Sequence, residues 1–341
     1  MANPNHPTRA ETPMAFIRAM VEAYTQRGLD PSSALRKAQI TPSQLKTNGR
    51  VTALQMEWLS EAAMRELDDE ALGWFCRRLP WGSYGMLVRA SLTAPTLGVA
   101  MQRWCRHHNL LTDDIALHLT SDKHTARLAL HEQHDLGAMR EFCTVSVLRN
   151  AIGVASWLTD SRIDLSQTEL HFAPPPHQAS YRVLFDGPTQ FDAPVSRISF
   201  DAGYLQLPVR RDEAALQRML QRALLLTVRP YRRDRLLVEK VRQALAEHPH
   251  ATRNADDLAA LLHMSARTLH RQLQDEGASL QQLKDSVRRE RTMHLLLKTK
   301  KPIKQIAADV GFANDKSFMR AVRHWTGQTA DQIRAGRAAE N

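Results

Sequence analysis

The stretch Pro302–Arg334, PIKQIAADVGFANDKSFMRAVRHWTGQTADQIR, predicts two short helices joined by a tight turn. Proline fits the first turn of a helix, so Pro302 is expected to open the first one. Gly311 permits the left-handed backbone of a turn, and a second helix is expected from about Asn314 to Trp325. That helix turns Phe318 inward and a row of basic residues outward. A basic second helix after a tight turn is typical of helix-turn-helix motifs, which place that helix in the major groove of DNA.

The same pattern occurs earlier, over about residues 254–274. Asp256 and Asp257 lie in the first turn of the first helix, where negative charge suits the helix dipole. Ser265 has the chemistry of an N-cap for a second helix that runs through Leu273. The sequence therefore predicts an all-α region with two helix-turn-helix motifs, at about residues 254–274 and 302–325.

The segment Leu280–Leu297 predicts one long amphipathic connector helix between the two motifs. Its roughly 18 residues span about 27 Å, and one turn of DNA is about 34 Å long. We therefore expect a rod that holds both second helices against successive major-groove turns on one face of the duplex.

The outward residues of the two second helices are the candidate DNA contacts. Arg267 and Arg271 lie one helical turn apart, and arginine can bind guanine through two hydrogen bonds. Phosphate contact or a solvated face is the alternative for both, and helix capping is the alternative for Ser265 and Asn314. In the second motif, base reading and phosphate contact are equally open for Arg320, whereas phosphate contact is favoured for Arg323. The full set is Ser265, Ala266, Arg267, Thr268, His270 and Arg271 in the first motif and Asn314, Lys316, Ser317, Arg320 and Arg323 in the second.

Positive charge is concentrated in the C-terminal third. Residues 230–341 hold 21 Lys and Arg against 13 Asp and Glu, whereas residues 1–229 hold 25 against 23. A basic region beside a near-neutral remainder favours a nucleic-acid module joined to a different domain. The boundary is predicted near Val228–Tyr231, which gives an N-terminal domain at 1–228 and a DNA-binding domain at 229–341.

The N-terminal domain mixes helical and strand-like patterns, which predicts an α+β fold with a central sheet. Apolar and polar residues alternate in Ile115–Leu119 and His124–His131 around a short polar turn, so a hairpin is expected there. Leu92–Asn109 is expected to form one helix capped by Thr93. Further helices are expected at residues 11–26, 51–67, 71–78, 137–158 and 212–228, and further strands at 168–172, 189–191 and 198–200.

The C-terminal third resembles the AraC/XylS family of bacterial transcription regulators over about residues 232–336. Gly311–Arg334 is similar to the signature of that family's second motif, and Leu283, Arg288, Leu295 and Leu296 match its connector helix. The resemblance implies that Arg288 braces the connector, with an acid such as Asp309 as its partner. Three positions depart from the family pattern, namely Thr292, Val322 and Ala330, where alanine, phenylalanine and proline are usual.

The same resemblance implies a sequence-specific regulator that binds double-stranded promoter DNA. Such a regulator is expected to be a homodimer that works with RNA polymerase on the bacterial nucleoid. Activation is the family's commoner mode, and repression stays open.

Residues 1–228 resemble the effector domain of the ornithine-utilisation-regulator branch of this family, which is arabinose-binding-domain-like. The similar segments are Tyr84–Ser91, Thr96–Ala100 and Phe200–Pro208. The resemblance implies a domain that binds a small organic effector and dimerises. The alternative is a regulator without a ligand, whose N-terminal domain serves only dimerisation or protein docking.

Trp81, Tyr84, Arg89 and Trp104 are the candidate ligand-binding residues of this domain. Aromatic walls with one charged anchor suit a small carboxylate or an amino acid. The alternative for each residue is an ordinary place in the core or on the surface.

The sequence holds no motif for enzymatic chemistry, and no cofactor is expected. His131-Glu-Gln-His134 lacks the four-residue histidine spacing of a zinc-binding HExxH helix, so no metal site is expected. Cys76, Cys105 and Cys143 do not suit a zinc ribbon or a disulfide framework and are expected to be reduced and buried. No stretch approaches the roughly 20 apolar residues of a membrane helix, and residues 1–12 lack a signal-peptide core, which predicts a cytoplasmic protein.

Overall fold

The computed structural model describes residues 12–185, 187–221, 236–249, 254–312 and 314–334. The chain divides into two compact units, Met1–Asp234 and Arg235–Asn341. The boundary predicted at residues 228–231 lies outside the described residues and stays a prediction. Within the described ranges, no helix combines the length and the apolar character that crossing a bilayer requires.

A five-stranded sheet occupies the first unit, in the order β3 (Ile115–Ser121), β4 (Thr125–Glu132), β7 (Ser196–Asp201), β5 (Leu165–Glu169) and β6 (Thr189–Gln190). Neighbouring strands of this sheet pair antiparallel, except for β5 and β6, which are parallel. Leu117 lies opposite Leu130, and Leu128 lies opposite Ile198. All four are buried, so the alternation of the strands turns one face of the sheet into the core. The predicted hairpin and the α+β class are confirmed. Two further short strands, β1 (Thr12–Pro13) and β2 (Arg50–Val51), pair antiparallel in a sheet of their own.

Nine α-helices are described in this unit, and the longest of them packs against β4 and β7. That helix buries Phe142, Val147 and Leu148, which gives the sheet its apolar cover. The predicted helix 212–228 is described only as far as residue 221. The helices are α1 (Met14–Gln26), α2 (Ser32–Lys37), α3 (Pro42–Leu45), α4 (Ala53–Glu66), α5 (Ser83–Ser91), α6 (Leu97–His108), α7 (Arg140–Thr159), α8 (Tyr181–Leu184) and α9 (Glu213–Leu220).

The helix predicted at residues 71–78 is wrong, because that segment is a loop held by one buried carboxylate. Asp69 accepts hydrogen bonds from the backbone N–H groups of Ala71, Gly73 and Leu79, at 2.9–3.0 Å. The Arg27 guanidinium pairs with the same carboxylate. These bonds satisfy backbone groups that a helix would otherwise satisfy, and they bend the chain into the loop.

The helix predicted at Leu92–Asn109 is present as α6, but it begins five residues later than expected, at Leu97, and α5 ends at Ser91. Pro95 breaks the pattern, since proline disfavours helical backbone in the residue before it. Thr96, not Thr93, caps α6 by accepting the backbone N–H of Val99. Thr93 instead accepts a hydrogen bond from the Arg103 guanidinium.

The second unit consists of helices in its described part, and the predicted pairs and connector are present. The first pair is α11 (Ala255–Leu261) and α12 (Ala266–Asp275), the connector is α13 (Leu280–Lys298), and the second pair is α14 (Ile303–Asp309) and α15 (Asp315–Thr326). Asn254, Ser265, Ser279 and Asn314 each accept a backbone N–H at a helix start, as N-cap residues do. One further helix, α10 (Leu236–Glu247), precedes the first pair.

Two separate apolar clusters form the core of the second unit. The first joins α10, α11 and α12 to the start of α13, and the second joins α14 and α15 to its end. Val322 and Ala330, which depart from the family pattern, are both buried in the second cluster. Thr292 lies in α13 between the two clusters, and its buried hydroxyl has no hydrogen-bond partner among the described residues.

The turn of the second pair requires glycine and is braced by Arg288. Gly311 has a φ of 83°, and an added Cβ would lie 3.2 Å from the Pro249 carbonyl oxygen. Arg288 donates a hydrogen bond to the Gly311 carbonyl and lies over the Phe312 ring. The expected partner Asp309 is wrong, because Lys301 occupies that carboxylate at 2.7 Å.

The expectation that all three cysteines are buried is wrong for one of them. Cys105 and Cys143 are buried, whereas Cys76 is exposed because it lies in the loop that replaces the expected helix. In the part of the chain that the structure describes, no group of three or more His, Cys, Asp or Glu side chains is placed to hold a metal ion.

His108 predicts a pH dependence of stability. The residue is fully buried, and burial lowers its pKa to about 4. In the unfolded chain the imidazole takes up its proton near pH 6.5, so acid favours the unfolded state and stability falls as the pH drops from about 6.5 to about 4. We expect this group to lower the free energy of unfolding by about 2 kcal/mol between pH 7 and pH 5.

Urea unfolding at the two pH values measures this effect. The His108→Gln variant, which cannot titrate, is expected to lose that part of the pH dependence whatever its stability at pH 7. The matched control is His124→Gln at an exposed position, which should keep the wild-type dependence. If the free energy of unfolding of His108→Gln depended on pH as strongly as that of the wild type, other groups would be the cause of the pH dependence.

Candidate nucleic-acid interface and ligand cavity

Helix α12 buries one face and exposes its basic face. Leu269 and Leu273 are buried in the first cluster, which fixes the rotation of the helix about its axis. Arg267, His270 and Arg271 are exposed. Arginine in this position can donate two hydrogen bonds to a guanine edge or bind phosphate.

Helix α15 has the same division. Phe318 and Val322 are buried in the second cluster, while Lys316, Arg320 and Arg323 are exposed. The Phe318 ring meets the Phe312 ring edge-on at 5.5 Å between centroids. This contact fixes α15 against the turn that precedes it.

Four smaller candidates have local roles or partial burial. Ser265 accepts the Thr268 N–H at 3.1 Å, and Asn314 accepts the Ser317 N–H at 2.8 Å. Both therefore cap their helices. Ala266 and Thr268 are half-buried, so they present less surface than the arginines to a partner.

The basic side chains of the two outward faces have no partner among the described residues. Other cations of the second unit are paired: Arg242 with Glu290, and Lys301 with Asp309. No hydrogen bond or ion pair to a described residue engages Arg267, Arg271, Lys316, Arg320 or Arg323. These five cations are therefore free to bind an anionic partner, and a phosphate backbone is such a partner.

The first unit contains a cavity of about 380 Å³, a volume within the range of small-molecule sites. Its wall combines apolar and aromatic side chains with a few charged ones. Helices α4, α5, α7 and α9 contribute most of the wall, together with the loop that Asp69 holds. Among the lining residues are Phe16, Met56, Glu57, Glu61, Arg65, Glu70, Trp74, Trp81, Tyr84, Val88, Arg89, Phe142, Arg149, Leu184 and Leu220.

Three of the four predicted ligand residues line this cavity. Trp81 is 47% exposed, and the Arg65 guanidinium lies 4.2 Å from the centre of its ring. The Tyr84 hydroxyl lies 3.4 Å from Nε2 of His108. Trp104 is not in the wall, because α6 turns it into the core, where it is 3% exposed and packs beside the Tyr84 ring.

Arg89, the expected charged anchor, already binds a carboxylate of the same chain. Its Nε lies 3.0 Å from each carboxylate oxygen of Glu213, and its Nη2 lies 2.6 Å from Oε1. Both side chains are about half-exposed. A ligand carboxylate at this position would have to replace Glu213.

Glu70 was not predicted, and it organises the wall next to Tyr84. Its carboxylate accepts the backbone N–H groups of Gly82 and Tyr84, each at 2.7 Å. Burial raises the pKa of Glu70, although these two amide groups oppose the shift. No local sequence signal marks this residue, because its partners lie 12 and 14 residues further along the chain.

Comparison with known proteins places both units in one family. The family model described as the arabinose-binding domain of AraC transcription regulators, N-terminal, matches residues 28–209. A helix-turn-helix domain model matches residues 258–336. The chain is 27% identical to the ornithine utilization regulator of Pseudomonas aeruginosa, over 98% of this chain and 99% of that protein.

Two solved structures are also similar. The transcriptional regulator CdpR of P. aeruginosa is 21% identical over 98% of this chain and 100% of that chain, with a TM-score of 0.33. The DNA-binding domain of the global transcriptional factor AdpA, solved with a target DNA, is 26% identical over 31% of this chain and 95% of that chain, with a TM-score of 0.28. The match to the arabinose-binding domain of AraC regulators alone covers more than half of the chain. The chain therefore belongs to the AraC family of DNA-binding transcription regulators.

Proposed function

We propose that this regulator senses a small organic molecule in the cavity of its first unit and reads promoter DNA with α12 and α15. In this proposal it acts as a homodimer and activates transcription together with RNA polymerase. The cavity of about 380 Å³ is the observation that carries the sensing function. Dimerisation, activation and the polymerase contact rest on the resemblance to the AraC/XylS family alone.

The proposal for DNA gives the two helices different roles. Arg267 and Arg271, with Thr268 and His270 beside them, contact base edges in the major groove. The exposed Lys316, Ser317, Arg320 and Arg323 of α15 bind the second segment of the site. Ala266 lies at the DNA surface, while Ser265 and Asn314 support their helices as caps. The support is the free positive charge on both outward faces.

The proposal for sensing rests on the chemistry of the cavity wall. Aromatic and apolar side chains remove an organic body from water, and a few charged groups orient it. Trp81, Tyr84 and Arg89 are the proposed ligand contacts in that wall. The family description names arabinose, and the relative's name includes ornithine, so both compounds belong in any test.

A thermal-shift screen of the full chain tests the sensing function. The compounds are arabinose, ornithine and a broad library of amino acids, organic acids and sugars. A ligand that binds only the folded state raises the melting temperature as its concentration grows. At 100 times its Kd, it raises the free energy of unfolding by about 2.7 kcal/mol. The same compound is expected to change the affinity of the protein for a genomic site recovered by footprinting.

The second candidate is a regulator without a ligand, whose first unit only dimerises or docks a protein. Silence across the whole library would favour it, because an evolved effector site should give at least one concentration-dependent shift. The control is Val88→Trp, which fills the cavity with a larger side chain. Loss of the shift in this variant, with DNA binding intact, would locate the ligand in the cavity.

A further inference from the structure

We propose that α9 transmits the binding of a ligand in the cavity to the DNA-binding unit. In this proposal an organic carboxylate releases α9 by replacing Glu213 as the partner of Arg89. This inference rests on the proposed sensing function and adds to it a ligand class and a means of transmission. Helix α9 is the last helix that is described in the first unit.

Helix α5 holds α9 at both of its ends. At the start of α9, Glu213 binds Arg89 through both carboxylate oxygens. At the end, the Leu220 methyl groups lie 3.3–3.4 Å from where a Cβ on Gly85 would be. Arg89 and Gly85 both belong to α5 and both line the cavity. A ligand that touches this wall of α5 therefore touches the two positions at which α5 contacts α9.

Helix α9 is also a wall of the cavity itself. Met219, Leu220 and Gln221 line it. Chain connectivity then leads from Gln221 to the second unit, whose first described helix begins at Leu236. A ligand in the cavity can therefore contact α9 directly, and α9 is the described helix of the first unit that lies nearest in sequence to the DNA-binding unit.

The attachment of α9 is weak enough to be exchanged. Leu216 is the one fully buried residue of this helix. The Arg89–Glu213 pair is about half-exposed, so water and salt screen it and its contribution is small. A stronger, buried pair would resist a competing ligand, whereas this pair can exchange one carboxylate for another with little loss.

Carboxylate exchange also indicates the ligand class. The Arg89 guanidinium forms a fork on a carboxylate, and that planar fork matches another carboxylate better than it matches an alcohol or an amine. The neighbouring wall at Tyr84, Val88 and Leu220 is mainly apolar. We therefore assign an organic carboxylate with an apolar body, whose acid group displaces Glu213 while its body contacts α5 and α9.

The test uses the full chain and a DNA site that footprinting of the wild-type protein has identified. The variants are Glu213→Gln, Arg89→Gln and the charge swap Arg89→Glu with Glu213→Arg. The matched control is Arg127→Gln, which breaks an exposed ion pair with Asp122 in the β3–β4 hairpin. Hydrogen exchange of residues 213–221 and the Kd for the site are measured for each protein.

We expect Glu213→Gln and Arg89→Gln to speed amide exchange in residues 213–221 and to shift the Kd for DNA in the same direction, each by about threefold, given the small contribution of an exposed pair. The charge swap should restore both values, and Arg127→Gln should change neither. Unchanged DNA affinity in both single variants would overturn the coupling. A swap that fails to restore the values would show that the residues act separately and not as a pair.

The ligand class is tested with octanoate and 4-phenylbutyrate against their primary amides, octanamide and 4-phenylbutyramide. We expect at least one acid, but not its amide, to act on wild-type protein as Glu213→Gln does. It should bind Glu213→Gln about threefold more tightly than wild type, because nothing has to be displaced, and it should lose binding to Arg89→Gln. Equal effects of acid and amide, or no effect of either acid, would overturn the carboxylate assignment.

The two levels of the proposal can fail separately. A compound that stabilises the protein without changing exchange in residues 213–221 would leave sensing intact and overturn the role of α9. Variants that shift DNA affinity while no compound of the library stabilises the chain would support the role of α9 and count against sensing.

Discussion

The double substitution Arg267→Ala with Arg271→Ala is expected to weaken binding to the specific DNA site by about 2–6 kcal/mol. Each arginine that contacts a base is expected to contribute about 1–3 kcal/mol to the free energy of binding. Both side chains are exposed on α12, and no described residue pairs with them. The measurement is a titration of labelled site DNA at fixed salt, repeated on site variants and on unrelated DNA.

The matched control removes the same two charges from the other helix, as Arg320→Ala with Arg323→Ala. Base contacts by α12 predict that its variant loses specificity at defined positions of the site. Phosphate contacts by α15 predict a loss that is equal on all sequences, with a salt dependence whose slope falls by about 1 for each contact removed. If the α12 variant lost the same factor on specific and unrelated DNA, its arginines would be phosphate contacts.

The substitution Asp69→Ala is expected to destabilise the first unit by about 3–5 kcal/mol, the usual effect of breaking a buried ion pair from one side. Asp69 is fully buried, and it binds three backbone N–H groups and Arg27. Removing it leaves those donors without their acceptor at a largely buried site. The loop that carries Glu70 and Trp74 into the cavity wall would lose its support as well.

Urea unfolding followed by tryptophan fluorescence measures this loss, because five of the six tryptophans lie in the first unit. Asp69→Asn should fall between wild type and Asp69→Ala, since it keeps an oxygen acceptor but loses the charge. The control is Asp113→Ala, which removes the same charge at an exposed position and should change stability by less than about 0.5 kcal/mol. A similar loss in both alanine variants would point to net charge as the cause.

Local signals were enough to predict most of the second unit. Ser265 and Asn314 cap their helices through the third residue along, Pro302 precedes the start of α14, and Gly311 has the positive φ of its turn. Each of these features depends on neighbours within a few residues. Sequence patterns therefore located the helices to within one or two residues.

Long-range contacts explain where the predictions failed. The loop at residues 71–78 has helical periodicity, but Asp69 binds as far as Leu79 and pairs with Arg27, and these contacts decide its shape. An acid was expected as the partner of Arg288, whereas in the structure Arg288 contacts a carbonyl group and an aromatic ring. No pattern within one helix can identify such partners.

The cavity was predictable only in part, for the same reason. Trp81, Tyr84 and Arg89 were predicted because they lie in the segment that most resembles the family's effector domain. Glu70 and the wall of α9 were missed, since they reach the cavity through tertiary packing. The bond between Arg89 and Glu213 joins residues 124 positions apart, and nothing in either local segment indicates it.

The two separate apolar clusters of the second unit have a consequence for how such regulators diverge. Because α13 sets the distance between the clusters by its own helical rise, neither cluster depends on the shape of the other's side chains. Mutations that repack one half need no compensating change in the other. Over evolutionary time, each half is free to change its surface at its own rate while α13 keeps the spacing between the two helix pairs.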